Sequence, residues 1–143
     1  MAKRFDKKGS LFNLPDNSII IPLKNIAHAG FPSPADDYLD QDIDLKQLLI
    51  PHPASTYLFR VKGHSMEAFG IHDDDLLVVD AAVTPKSGDI VLGSLDGEFL
   101  VKQMVRRDGH LVLVSGGEYP PILIKDMQQF EVFGRPMWVL RRL

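Results

Sequence analysis

The chain has 143 residues, 45% of them hydrophobic and 24% charged, which suits one compact soluble domain with a core of its own. It has no cysteine, so disulfides and thiolate chemistry are excluded and a reducing cytoplasm is the expected setting, and no apolar run reaches the roughly 18 residues that span a membrane. The net charge of -3 is unevenly spread: residues 1–29 hold five Lys/Arg and two Asp (+3), and residues 30–143 hold 11 Lys/Arg and 17 Asp/Glu (-6), so the acidic body is a poor grip for nucleic-acid phosphates.

In chain order, residues 1–29 read as a basic arm. Lys3, Arg4, Lys7 and Lys8 precede a stretch broken by Asn13, Pro15, Asp16 and Asn17, which is not a secretory signal. The arm is too short for a helix-turn-helix domain. Leu11–Leu14 and Ser18–Leu23 are strand-like. Phe31-Pro-Ser-Pro34 must be extended, because its X-Pro bonds oppose a helix. Tyr38, Leu39, Ile43, Leu45, Leu48 and Leu49 are spaced for one or two short helical turns ending before Pro51.

Beyond Pro53 the period becomes two. Tyr57, Phe59 and Val61 alternate with Leu58, Arg60 and Lys62. Further strands are expected at Leu76–Val79, Ile90–Leu95, Glu98–Val105, Leu111–Val114, Ile122–Ile124, Phe130–Phe133 and Met137–Leu140. Asp96-Gly97 and Asp108-Gly109 are hairpin turn signals. Pro136 interrupts the last region and predicts an edge strand or a later start. The fold class is therefore mainly β: a compact antiparallel body with a few short helical turns and an extended N-terminal arm.

Two positions carry candidate chemistry. Ser65, in Gly63-His64-Ser65-Met66, follows a strand and precedes a helix-like Glu67–Phe69. There its hydroxyl is a candidate nucleophile, and unpaired backbone N–H groups can hold an oxyanion. The plainer reading of Ser65 is a helix N-cap. Lys102 shares a strand face with Leu100 and Met104, and the opposite face, Phe99, Val101, Gln103 and Val105, is equally apolar. An amine so placed loses water and becomes easier to deprotonate. Working as a base near neutrality requires a fall from about 10.4 to about 7, worth roughly 4–5 kcal/mol. The plainer reading of Lys102 is a lysine reaching to solvent at a strand edge. Among the histidines, His64 points away from its neighbour Ser65, and His28, His52, His72 and His110 show no clear carboxylate partner, which disfavours a Ser–His–Asp triad. Asp73-Asp74-Asp75 reads as a solvated turn rather than a cation site, and no metal or cofactor motif is expected.

At these residues the chain resembles the LexA/UmuD family of self-cleaving serine peptidases, the peptidase S24 type. Val61-Lys62-Gly63-His64-Ser65-Met66 resembles the family's serine segment and Gly97-Glu98-Phe99-Leu100-Val101-Lys102-Gln103 its lysine strand, with the same separation of 37 residues. Asp73–Asp80, Gly88-Asp89-Ile90-Val91, Tyr119-Pro120-Pro121-Ile122 and Val132-Phe133-Gly134 add to the likeness, which spans about residues 27–143. Gly30–Ala35 with Tyr38, Asp44-Leu45 and Leu48–Ile50 is similar to the UmuD-type segment after its cleavage point. The departures are His64, Gly116 where Asn is frequent, and Pro136.

The resemblance implies an autoproteolytic Ser–Lys dyad of Ser65 and Lys102, with an oxyanion hole from the backbone N–H groups of Ser65 and Met66. It implies cleavage between Ala29 and Gly30, which divides the chain into an arm (1–29) and a peptidase and interaction domain (30–143). It further implies a cytoplasmic homodimer of the SOS response to DNA damage, stimulated by RecA–single-stranded DNA filaments. The trimmed form would serve a Y-family (UmuC-like) polymerase in translesion synthesis and SOS mutagenesis. The rival from another class is a non-catalytic repressor-like or polymerase-binding module that keeps the fold. A signal-peptidase relative, also Ser–Lys, is disfavoured by the missing membrane anchor.

Overall fold

A computed structural model describes residues 20–23, 29–30, 41–126 and 128–143. The expected strand Leu11–Leu14, the extended Phe31–Pro34, the turn near Tyr38 and His28 lie outside the described residues. The chain divides into two compact units, with the described residues up to Pro51 in one and those from His52 onward in the other. This division falls later in the chain than the one expected at Ala29–Gly30.

In the first unit β1 (Ile20–Leu23) pairs antiparallel with β2 (Gln41–Asp44), Ile20 opposite Asp44 and Leu23 opposite Gln41. The helix α1 (Leu45–Leu49) follows directly. It starts two residues later than its apolar spacing suggested, because Asp44 is extended and caps it. The Asp44 carboxylate accepts the amides of Lys46 and Gln47 at 3.0 and 3.4 Å, satisfying two of the donors a helix start leaves free.

The second unit is one antiparallel seven-stranded sheet. Its strands are β3 (Thr56–Arg60), β4 (Leu76–Asp80), β5 (Ile90–Leu95), β6 (Glu98–Arg107), β7 (His110–Val114), β8 (Ile122–Leu123) and β9 (Phe130–Leu140), in the order β3-β4-β9-β5-β6-β7-β8. Both Asp-Gly pairs make the expected hairpins. Asp96 and Gly97 have φ of 49° and 86°, Asp108 and Gly109 of 51° and 77°, the left-handed pair that matches strand twist in a two-residue turn.

The region around Pro136 differs from expectation. β9 is a single strand in the middle of the sheet, running unbroken through Pro136. Its first half pairs with β5 as far as Gly134, and its second half pairs with β4 from Arg135 onward. Pro136 therefore has a ladder on one side only, beside a register shift between Val78 and Val79. A missing N–H is tolerated at such a place.

The core holds Phe59, Val61, Met66, Ile71, Leu77, Val79 and Leu92, all buried, with Tyr57, Phe69, Ile90, Val101 and Phe133 packed against them. Met66 and Ile71 come from the loop between β3 and β4. Their burial pins both ends of the turn that carries Ser65.

Candidate active site

The site grows from the β3–β4 loop. β3 is prolonged by two bonds to the start of β4: the Val61 amide donates to Asp75 O at 2.8 Å and the Asp74 amide to Val61 O at 2.8 Å. The chain then turns at Gly63, whose φ is 97°, and the Gly63 amide donates to Asp73 Oδ1 at 2.7 Å. The expected helix after Ser65 is only a three-residue 3-10 turn, Glu67–Phe69, closed by Gly70. Ser65 precedes it without capping it, so the plainer N-cap reading of this serine fails. Within the turn the Glu67 amide donates to His64 O at 3.2 Å.

Ser65 meets Lys102 from β6. Lys102 Nζ lies 2.7 Å from Ser65 Oγ, across 37 residues of sequence. Val101, one residue earlier, packs on the core, and strand alternation turns Lys102 to the other face with Leu100 and Met104. Met104 is buried there and Leu100 and Lys102 are partly buried. Burial pushes the Lys102 ammonium below the usual lysine range, because removing water penalises the charged form. Without its proton the amine can accept the Ser65 hydroxyl hydrogen at this distance, which is the reach a general base needs. Lys102 is not a strand-edge lysine reaching to solvent: β6 is laddered to β5 at Val91, the β7 ladder begins at the next residue, Gln103, and the partly buried amine is held on Ser65 Oγ.

A second contact fixes the serine from behind. The Gly116 amide donates to Ser65 O at 2.8 Å. A Cβ added to Gly116 would stand 2.3 Å from the Ala68 Cβ, far inside any carbon–carbon contact. The departure at Gly116 thus has a local cause: with Ala68 on the facing turn, only glycine lets this backbone reach Ser65.

The other groups singled out from the sequence have different surroundings. His64 is exposed and pairs with Glu67, Nδ1 to Oε1 at 2.6 Å. That hydrogen bond raises its pKa and holds the ring on Glu67 rather than on Ser65. His52 does have a carboxylate partner, contrary to expectation: its Nδ1 meets Asp80 Oδ2. Ser55 Oγ also donates to Asp80, at 3.1 Å. Serine and histidine both bind the carboxylate, so no imidazole stands between hydroxyl and acid, and the order a triad requires is absent. Asp73, Asp74 and Asp75 are not one solvated turn. Asp73 holds Gly63, Asp74 pairs with Arg60 and Lys62, and Asp75, 1% exposed, is gripped by Arg141. Ala29 and Gly30 lie in the first unit, in a bend, and both are exposed.

The fold and this serine–lysine contact define the class. The chain belongs to the Peptidase S24-like family, which matches residues 22–137. Among its relatives, Protein ImpA of Salmonella typhimurium is 47% identical over 93 residues, 64% of either chain. The matched stretch is thus just under two thirds of ImpA. Protein MucA of Escherichia coli is 39% identical over 119 residues, 82% of this chain and 81% of MucA. The LexA repressor of Paracidovorax citrulli is 31% identical over 138 residues, 94% of this chain and 61% of the repressor. Among the described residues no helix is long and apolar enough to cross a membrane.

Proposed function

We propose that the chain is a self-cleaving serine peptidase that hydrolyses its own Ala29–Gly30 bond. The observation that carries this is the 2.7 Å contact between Lys102 Nζ and Ser65 Oγ on a partly buried amine. Neutral Lys102 takes the Ser65 proton as Oγ attacks the Ala29 carbonyl carbon. The N–H groups of Ser65 and Met66, which precede the first bonded amide of the turn, take the oxyanion. The C–N bond breaks as Lys102 returns the proton to the Gly30 nitrogen. Water, deprotonated by Lys102, then releases the Ala29 carboxylate and restores Ser65, one water consumed in all. The 35 residues from Gly30 to Ser65 reach about 115 Å when extended, so attack within one chain or across a pair is sterically open.

Membership of the family, with ImpA, MucA and LexA among its relatives, supports a place in the SOS response and in damage-induced mutagenesis. There cleavage follows contact with a RecA–single-stranded DNA filament, and the trimmed, more acidic body serves a Y-family polymerase in the cytoplasm. Self-association fits the end of β9, where Met137, Trp138, Val139 and Leu140 are all exposed. A strand of that composition on a half-open edge invites a second copy.

The test is intact-mass measurement of the full chain incubated with and without activated RecA filament. Loss of residues 1–29, leaving a product that begins at Gly30, is expected, and Ser65→Ala should stay whole. A product starting elsewhere, or equal cutting of Ser65→Ala, rejects the assignment.

A further inference from the structure

The turn that carries Ser65 is held from the far end of the sequence. Arg141, just past β9, donates from Nε to Asp75 Oδ1 at 2.6 Å and from Nη2 to Asp75 Oδ2 at 2.6 Å. The same Nη2 donates to Gly70 O at 3.1 Å. Gly70 closes the turn after Ser65: its amide donates to Glu67 O at 2.9 Å, and the next amide, Ile71, donates to Met66 O at 3.2 Å. The Asp75 carboxylate also accepts the His72 amide at 2.7 Å. Residues 63–71 are thus a short span fastened at both ends, by Asp73 at Gly63 and by Arg141 with Asp75 at Gly70.

We propose that Arg141 is a positioning residue for the Ser65 nucleophile, its guanidinium bridging the buried Asp75 carboxylate and the Gly70 carbonyl so that the serine turn stays within reach of Lys102. The proposal rests on the self-cleavage reading. A two-oxygen grip on a carboxylate needs the planar guanidinium fork, and one ammonium cannot copy it while also holding a carbonyl. Without Arg141 the Gly70 carbonyl loses its side-chain anchor, leaving that end of the turn held by the buried Ile71 and its own backbone bonds, and Asp75 is left buried without its cation. Misplacing a reacting group by about 1 Å slows a reaction by about a hundredfold. The pairing also links the residue just past β9 to the Gly70 end of the serine turn.

Two measurements on the full chain test this. In the first, self-cleavage of Arg141→Ala is followed at several pH values. The rate is expected to fall ten- to a hundredfold at each pH with an unchanged midpoint, because Lys102 keeps its surroundings. Low millimolar guanidinium chloride should restore much of it, and sodium chloride should not. Arg141→Lys, which keeps the charge, should also be slow. Full-rate cleavage by either variant overturns the proposal. In the second, amide hydrogen exchange is compared for Arg141→Ala and Arg141 intact, both in the uncleavable Ser65→Ala background. Faster exchange confined to residues 65–71 is expected, with the β5–β6 ladder unchanged. Unchanged exchange in the turn, or equal acceleration across the whole sheet, overturns it. A parent chain that never cleaves, with the turn still loosened locally, would reject self-cleavage and leave the anchoring intact.

Discussion

Replacing Gly116 by alanine should slow self-cleavage steeply without dissolving the fold. The new Cβ would lie 2.3 Å from the Ala68 Cβ, whereas carbons in contact sit about 3.5–4.0 Å apart. One segment must therefore retreat by about 1.2 Å or more. Either retreat disturbs Ser65, because Ala68 lies on the serine turn and the Gly116 amide holds Ser65 O at 2.8 Å. Overpacking of this kind costs about 1–3 kcal/mol of stability, and a displacement of about 1 Å at the nucleophile costs about a hundredfold in rate. Gly116 does not have a positive φ, so backbone strain adds nothing. The partner change makes the test internal. With Ala68→Gly the nearest remaining atoms are the residue 68 Cα and N at 3.3 Å, a small adjustment, and the double variant should recover most of the rate. Cleavage is read by gel or intact mass, stability by thermal melting. Wild-type cleavage in Gly116→Ala, or no recovery in the double variant, refutes the reasoning.

Lys102→Met should cleave about 10²–10⁴-fold more slowly, the usual share of a general base, and should melt higher than the parent at neutral pH. The parent's stability should rise with alkalinity: the folded pKa of Lys102 lies below its ordinary value, so between the two the unfolded chain binds more protons. Lys102→Met should lack that rise, and melts from pH 7 upward check it. At the acid end, the hydrogen bond from Arg141 holds the Asp75 carboxyl below its ordinary range. Its stabilisation is full above the unfolded value and fades as pH falls through the folded one, so Asp75→Asn should flatten acid unfolding followed by circular dichroism. Trp138→Asp should weaken self-association in sedimentation velocity, since Trp138 is 41% exposed in the apolar end of β9; an unchanged sedimentation coefficient would clear that surface of the role.

Much of the second unit was legible because its signals are local. Period-two alternation from Tyr57 onward and two Asp-Gly pairs each depend on a few neighbouring residues. The serine and lysine were legible through their spacing in a family pattern. Four features were not. The unbroken β9 was hidden because the one-sided ladder that tolerates Pro136 is a fact of sheet order, which no single strand reveals. Arg141 and Asp75 are 66 residues apart, and no motif surrounds that arginine. The His52–Asp80 contact likewise joins distant stretches, and Asp73-Asp74-Asp75 looks uniform in sequence while each of its carboxylates serves different partners. The one sequence hint of the Gly116 contact was the departure from the residue frequent in the family.

The most direct test is to titrate the Lys102 side chain itself by nuclear magnetic resonance in the full-length chain, beside the pH profile of self-cleavage under the same conditions. The amine is expected to lose its proton below the ordinary lysine value of about 10.4, at the same midpoint where the cleavage rate climbs. An amine that titrates like a free lysine, or a rate that rises with no relation to it, would contradict a neutral Lys102 as the base that activates Ser65.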